Sequence, residues 1–223
     1  MRFFFLFIIL LAVSACGGGN KSRGKGGGDC CKGQICNGDL LFQTSTGSTL
    51  SKAIDKVTQI AGTQGYVHAG MAVCSSSVSN ITGERQDRGA MYVIEAIDEG
   101  VCLTPLDSFL TRTCTKVYRL QKEYQALIFK AIEYSIRQLG KPYDSAYLPD
   151  TNKFYCSELI VEAFRYANNG KQFFETAPMT FKLNGEFLPE WVEWYKQLGT
   201  AIPEGVQGSN PTALSRDKRL IRL

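Results

Sequence analysis

The chain opens with Arg2, an unbroken apolar run from Phe3 to Val13 and small residues up to Cys16, followed over residues 17 to 29 by GGGNKSRGKGGGD. Neither part suits a folded core. The apolar run is too short to span a bilayer as a mature helix, and its flanks are those of an export signal. The next stretch has no apolar side chain to offset the entropy of ordering its glycines, so it reads as a flexible tether. The fold must come from the roughly 190 residues that follow, a length that suits one domain with a single core. No internal repeat or second linker divides them.

The small residues Val13, Ser14 and Ala15 before Cys16 resemble the lipobox of bacterial lipoproteins. On that reading residues 1–15 are a lipoprotein signal peptide, residues 16–36 a lipidated Cys16 with its tether, and residues 37–223 the functional domain. The protein would be exported and held by lipid at a bacterial membrane, facing the periplasm or the exterior. Such an anchor gains about 0.8 kcal/mol per buried methylene. A plain secretory signal with an incidental Cys16 is the other reading. The formal net charge is +4 without a basic stripe, which makes nucleic acid a poor partner.

Eight cysteines stand beside a single histidine. With Cys16 assigned to lipid and Cys156 held for the site, Cys30, Cys31, Cys36, Cys74, Cys102 and Cys114 remain, and export favours pairing them. Links from the start of the domain to its sheet are expected, with the connectivity open. CCKGQIC resembles a fragment of a metal site, but the partners of a usual zinc set are missing. No metal and no cofactor is expected.

Along the domain, GDLLFQT reads as a strand behind an Asn-Gly turn, and residues 50 to 61 repeat apolar residues at helical spacing. VHAGMAVC, MYVIEAI and TKVYRL have strand character. DEGV reads as a hairpin turn, and PLDSFLTR as a short helical segment. KEYQALIFKAIEYSIRQLG reads as a helix capped by Gly140. KPYDSAYLPDTN reads as a loop, with helices following from about Tyr155 and from Leu188, and the last residues as ordered coil wrapping the domain. The class is α+β, an antiparallel sheet packed against helices.

Three residues stand out. Cys156, Leu159, Ile160, Ala163, Phe164 and Ala167 share one helical stripe, so the sulfur faces inward at the first turn. It faces unpaired backbone N–H groups and the positive end of the helix dipole, surroundings suited to a negatively charged sulfur. Position alone fits a buried structural thiol as well. His68 shares a strand face with Gly70 and Ala72, whose small side chains leave space for a helix end. Any imidazole base must be this residue. Glu95 falls in an apolar row with Val93 and Ile97, where an unpaired carboxylate would be expensive, and an imidazole N–H is a suitable partner.

The order GDLLFQ, HAGM, YVIEA, GKPYD, FYCSEL and IPEGVQGSNP resembles the permuted papain-like amidases of the YiiX/YaeF type, within the NlpC-like superfamily, from Asn37 nearly to the end. Histidine precedes cysteine here, which is the permuted order; HAGM departs from the more usual valine after the histidine. The resemblance implies a permuted papain-like fold, with Cys156 as nucleophile, His68 as base and Glu95 orienting that base. It places Tyr143 and Asp144 near the site as substrate-binding residues. The implied activity is a cysteine amidase or peptidase acting on peptides or amides of the cell envelope, with peptidoglycan stem peptides the natural substrate. The same residues also suit acyl transfer or hydrolysis of lipid-like esters and thioesters, and a non-catalytic binding lipoprotein is a further alternative. The Cys156 backbone N–H is one expected oxyanion donor; Gln43 and Tyr66 are candidates for the second.

Overall fold

The structure is a computed structural model that describes residues 31–32, 34–87, 89–149 and 152–223. The expected signal, the lipidated Cys16, the tether through residue 29 and Cys30 lie outside the described residues.

The chain runs β1 (Cys31–Lys32), β2 (Ile35–Cys36), β3 (Leu40–Gln43), α1 (Thr49–Thr58), β4 (His68–Cys74), α2 (Ser75–Thr82), β5 (Met91–Ile97), β6 (Gly100–Pro105), α3 (Leu106–Leu110) and β7 (Thr115–Leu120). It continues through a 3-10 segment (Lys122–Leu127), α4 (Ile128–Ile136), α5 (Cys156–Ala167), β8 (Ala177–Pro178), β9 (Lys182–Leu183), β10 (Glu186–Phe187), α6 (Pro189–Leu198), β11 (Gln207–Gly208), α7 (Pro211–Leu214) and β12 (Leu220–Arg222). Six strands form one antiparallel sheet in the order β12-β7-β3-β4-β5-β6. The expected α+β class with an antiparallel sheet and packing helices is what the chain adopts.

Strand alternation sorts the core. Leu40, Phe42, Ala69, Met71, Val73, Ile94 and Ala96 share a cluster with Ala131, Ile132 and Ile136 of α4 and with Leu159, Ile160, Ala163 and Phe164 of α5. Leu41, Ala72 and Val93 pack with Leu106 and Phe109 of α3. A third cluster joins Ala53 of α1 to Trp191 and Tyr195 of α6, with Tyr147, Tyr155 and Phe181. Each large apolar side chain fully buried on α5 contributes roughly 1.5–3 kcal/mol, so the helix is held by its stripe.

The elements differ from the sequence expectation in several places. The tail is not only coil: β12 extends the main sheet beside β7, with Ile221 opposite Arg119. Asn210 caps α7, its side chain accepting from the Ala213 N–H at 2.8 Å. The segment ending at Gly140 begins as a 3-10 turn with no buried side chain, so α4 starts later than its periodicity suggests. β6 and α2 carry no clear sequence signal. GVCLTP has no clean alternation, and SSSVSNIT has too little apolar content to declare a stripe. β1 and β2 form a short hairpin inside the stretch expected to be tether.

The cysteine expectation fails for the sheet. Cys74, Cys102 and Cys114 are reduced thiols, so no disulfide ties the start of the domain to the sheet among the described residues. Cys36 is disulfide-bonded, with a partner outside the described side chains.

Gly100 joins the two halves. Its φ is +102°, and a Cβ there would lie 2.4 Å from the Lys141 carbonyl oxygen. That close approach lets the Val101 N–H donate to Lys141 O at 2.8 Å while the Gly140 N–H donates to Val101 O at 2.9 Å. The loop beginning at Gly140 is thereby stitched to an edge strand. Gly100→Ala is expected to lower stability by roughly 2–3 kcal/mol through strained φ and backbone clash. Urea unfolding checks this, and an unchanged midpoint would show that the stitch contributes nothing.

Candidate active site

His68 is the first residue of β4 and lies directly opposite Gln43 in β3. The segment before it is held from the tail. The buried Thr212 hydroxyl donates to Tyr66 O at 3.0 Å and accepts the Tyr66 N–H at 3.0 Å. The side chain of His68 is largely enclosed, with the Phe109 ring centroid 5.9 Å away.

Glu95 of β5 is completely buried, and its charge is met from three sides. His68 Nε2 lies 2.5 Å from Glu95 Oε2, Arg112 Nη1 donates to the same oxygen at 2.9 Å, and the Thr104 hydroxyl donates to Oε1. Burial pushes the Glu95 carboxyl up, but the hydrogen bond and charge of His68, then Arg112 and Thr104, prevail and hold it below its ordinary value. A carboxylate acceptor fixes Nε2 as the protonated nitrogen, leaving Nδ1 for a second partner.

That partner is Cys156. Burial disfavours the imidazolium, yet the hydrogen bond to Cys156, the hydrogen bond to Glu95 and the charges of both outweigh it, so His68 is raised to about 9. The sulfur arrives on the first residue of α5, where backbone N–H groups have no intrahelical acceptor. The Glu158 carboxylate accepts the Tyr155 N–H at 3.3 Å and fixes how the chain enters the helix. The structure therefore places His68 between Cys156 and the Glu95 carboxylate.

The route of approach differs from expectation. The space at Gly70 is taken by the neighbouring strand: a Cβ there would lie 2.4 Å from Val93 Cγ1. α5 packs instead with Ala69, Met71 and Val73, the other face of β4. The sulfur meets the imidazole at the start of the strand.

The GKPYD loop is positioned through its backbone. Tyr143 forms a parallel bridge with Phe154, and the Asp144 N–H donates to Phe154 O at 3.0 Å, so the loop runs beside the residues that enter α5. Tyr143 lines the same cavity as Cys156. Its hydroxyl lies 3.5 Å from that of Tyr147, a residue held at φ +54°. Burial, reinforced by the Cys156 charge, pushes both phenols well above their ordinary range, so they remain neutral donors. Asp144 does not line this cavity. Its buried carboxylate accepts from the Ala146 and Leu148 N–H groups at 3.1 and 2.6 Å and faces Lys153 Nζ at 3.3 Å. It shapes the loop that carries Tyr147.

Neither sequence candidate for the second oxyanion donor is available. The Gln43 amide donates to Phe109 O at 2.7 Å and reaches Thr115 Oγ1 at 3.2 Å. The Tyr66 hydroxyl is 3.1 Å from that of Tyr118, inside the core. Sequence reasoning also missed Arg112, Thr104 and Phe109. Thr104 had a signal: once β6 is paired, Cys102 stands opposite Glu95 and Thr104 is its diagonal neighbour. Arg112 follows a helix end and had none.

Beside the sulfur lies a cavity of about 230 Å³, walled largely by apolar and aromatic side chains including Ile54, Val57, Tyr143, Tyr147, Phe181 and Trp191. The indole N–H of Trp191 is buried and has no acceptor among the described residues.

The chain is similar to the uncharacterized protein YiiX of Escherichia coli strain K12, 30% identical over 134 residues, which span 58% of this chain and 57% of that protein. The match thus covers little more than half of the relative's length. It also resembles a solved structure described as metalloprotein YiiX from Escherichia coli O157:H7, with TM-score 0.64 and 26% identity over 85% of this chain and 97% of that one. In the present chain, no group of three or more His, Cys, Asp or Glu side chains among the described residues is placed to hold a metal ion. The sequence profile of the permuted papain-like amidase enzymes, YaeF/YiiX, C92 family, matches residues 34–223, and the chain belongs to that family.

Proposed function

We propose that this protein is a cysteine hydrolase that cleaves amide bonds, with Cys156 as nucleophile, His68 as general acid and base, and Glu95 orienting and charging the imidazole. The observation that carries the reading is the placement of His68 between the Cys156 sulfur, whose influence helps raise its pKa, and a fully buried carboxylate 2.5 Å from its Nε2. Such an arrangement is expensive to maintain unless the charges are used.

The reaction follows from the positions. The sulfur attacks the carbonyl carbon, and the carbonyl electron pair moves onto oxygen. The Cys156 backbone N–H donates to that oxyanion. Tyr143 and Tyr147 supply the second donor: their mutual hydrogen bond uses one hydroxyl proton and leaves the other for the substrate. As the carbon–nitrogen bond breaks, His68 gives its Nδ1 proton to the leaving amine, which leaves a thioester on Cys156. Water then attacks the thioester while His68 takes its proton, and carbon–sulfur cleavage returns the sulfur and releases the acid.

Lipid attachment at Cys16 after export would restrict this chemistry to a membrane surface and to amide substrates of the envelope. Mass spectrometry after exposure to envelope fragments is expected to find an acyl adduct on Cys156. Cys156→Ala and His68→Ala should each abolish turnover of a fluorogenic amide with unchanged circular dichroism; retained turnover in either would remove the proposal.

Two predictions concern charge. His68 is raised from 6.5 to about 9 on folding, so its stabilising contribution is complete below the lower value and is lost as pH rises through the upper one. Activity that needs the imidazolium should fall on the same alkaline side, near pH 9, in a kcat/KM profile. Arg112→Met removes a cation beside Glu95 and leaves His68 as its main counter-charge. The alkaline limb should then move to higher pH, with a stability loss of about 1–2 kcal/mol because Arg112 is partly exposed. An alkaline limb moving to lower pH would contradict the assignment.

A further inference from the structure

We infer that the cavity beside Cys156 receives the acyl side of the substrate, and that this acyl group is uncharged and apolar, of roughly six to nine carbons. The inference rests on reading Cys156 as the nucleophile and adds which part of the substrate the cavity takes.

Direction comes first. Cys156 lines the cavity, whereas His68 does not. In the thioester the acyl carbon is bonded to sulfur, and the departing amine must lie where His68 can protonate it. The acyl chain therefore extends into the cavity and the amine leaves from the histidine side.

Size comes from the volume. An apolar cavity of about 150 Å³ holds benzene, and this one is about 230 Å³. Charge excludes the alternatives. Among the described residues no Lys or Arg lines it, while Glu175 and Asp217 do. Asp217 is already paired with Arg219, so an acyl group bearing a carboxylate would enter apolar walls beside the Glu175 carboxylate with no free cation lining them among the described residues.

The experiment is a series of aminomethylcoumarin amides given to the full chain: acetyl, butyryl, hexanoyl, octanoyl, and glutaryl as the anionic member. The ratio kcat/KM should rise roughly three- to fourfold per methylene while the cavity fills, giving about a thousandfold between acetyl and octanoyl. Glutaryl should fall below butyryl. Val57→Trp, which fills the cavity from α1, should move the optimum to shorter chains. Acetyl or glutaryl amides cleaved as well as octanoyl, or an optimum that Val57→Trp leaves in place, would overturn the inference.

Binding to Cys156→Ala keeps the two readings separate. Calorimetry on that variant should show octanamide bound at least a hundredfold more tightly than acetamide, even if no amide in the series is cleaved. Loss of cleavage with retained octanamide selectivity counts against the nucleophile reading alone. Equal binding of octanamide and acetamide counts against the cavity assignment, whatever the turnover.

Discussion

A carboxylate with no exposure to water organises this molecule. Glu95 sits in the middle of a β-strand whose neighbours are apolar, where an unpaired charge would be intolerable. Its two oxygens are shared among an imidazole, a guanidinium and a hydroxyl drawn from β4, the segment after α3, and β6. Satisfying that one charge fixes the sheet register, the α3 turn and the ring of His68 together. The geometry around His68 follows from the need to satisfy that buried charge.

From there the arrangement propagates outward. Glu95 holds Nε2, so Nδ1 is the nitrogen offered to sulfur, and the helix that carries the sulfur is set by its own apolar stripe. The entry to that helix is braced twice, by the GKPYD loop stitched to β6 and by the tail. Ser209 contacts both Tyr155 and Ser157, its N–H donating to the Tyr155 hydroxyl at 3.0 Å and its side chain to the Ser157 hydroxyl at 3.0 Å. Motifs far apart in sequence meet within a few residues of Cys156. The same convergence encloses the cavity, with walls from α1, α6, the GKPYD loop and the tail. Its apolar walls lie directly beside the sulfur of Cys156.

Much of this was legible in the residues. Strand alternation put His68 and Glu95 at inward positions, helical spacing put Cys156 on the buried stripe, and the motif order identified the family. Asp144 was legible as part of a motif but not in its role, because a carboxylate that caps loop N–H groups looks the same in sequence as one that binds substrate. Gln43 and Tyr66 looked free to donate, but the Gln43 amide donates to Phe109 and Thr115 and the Tyr66 hydroxyl is paired with that of Tyr118 inside the core. The cysteines suggested cross-links that Cys74, Cys102 and Cys114 do not make.

The sequence by itself determined most of the strands and helices and the candidate residues of the site, because periodicity and residue chemistry are local properties of the chain. It required a partner for Glu95 and could name one, His68. Only the tertiary structure decided the others, Arg112 and Thr104, together with the face from which α5 reaches the histidine and the shape of the cavity beside the sulfur. Those depend on strand register and loop packing between residues distant in sequence, and no local pattern records which distant atoms will be neighbours once the chain closes on itself.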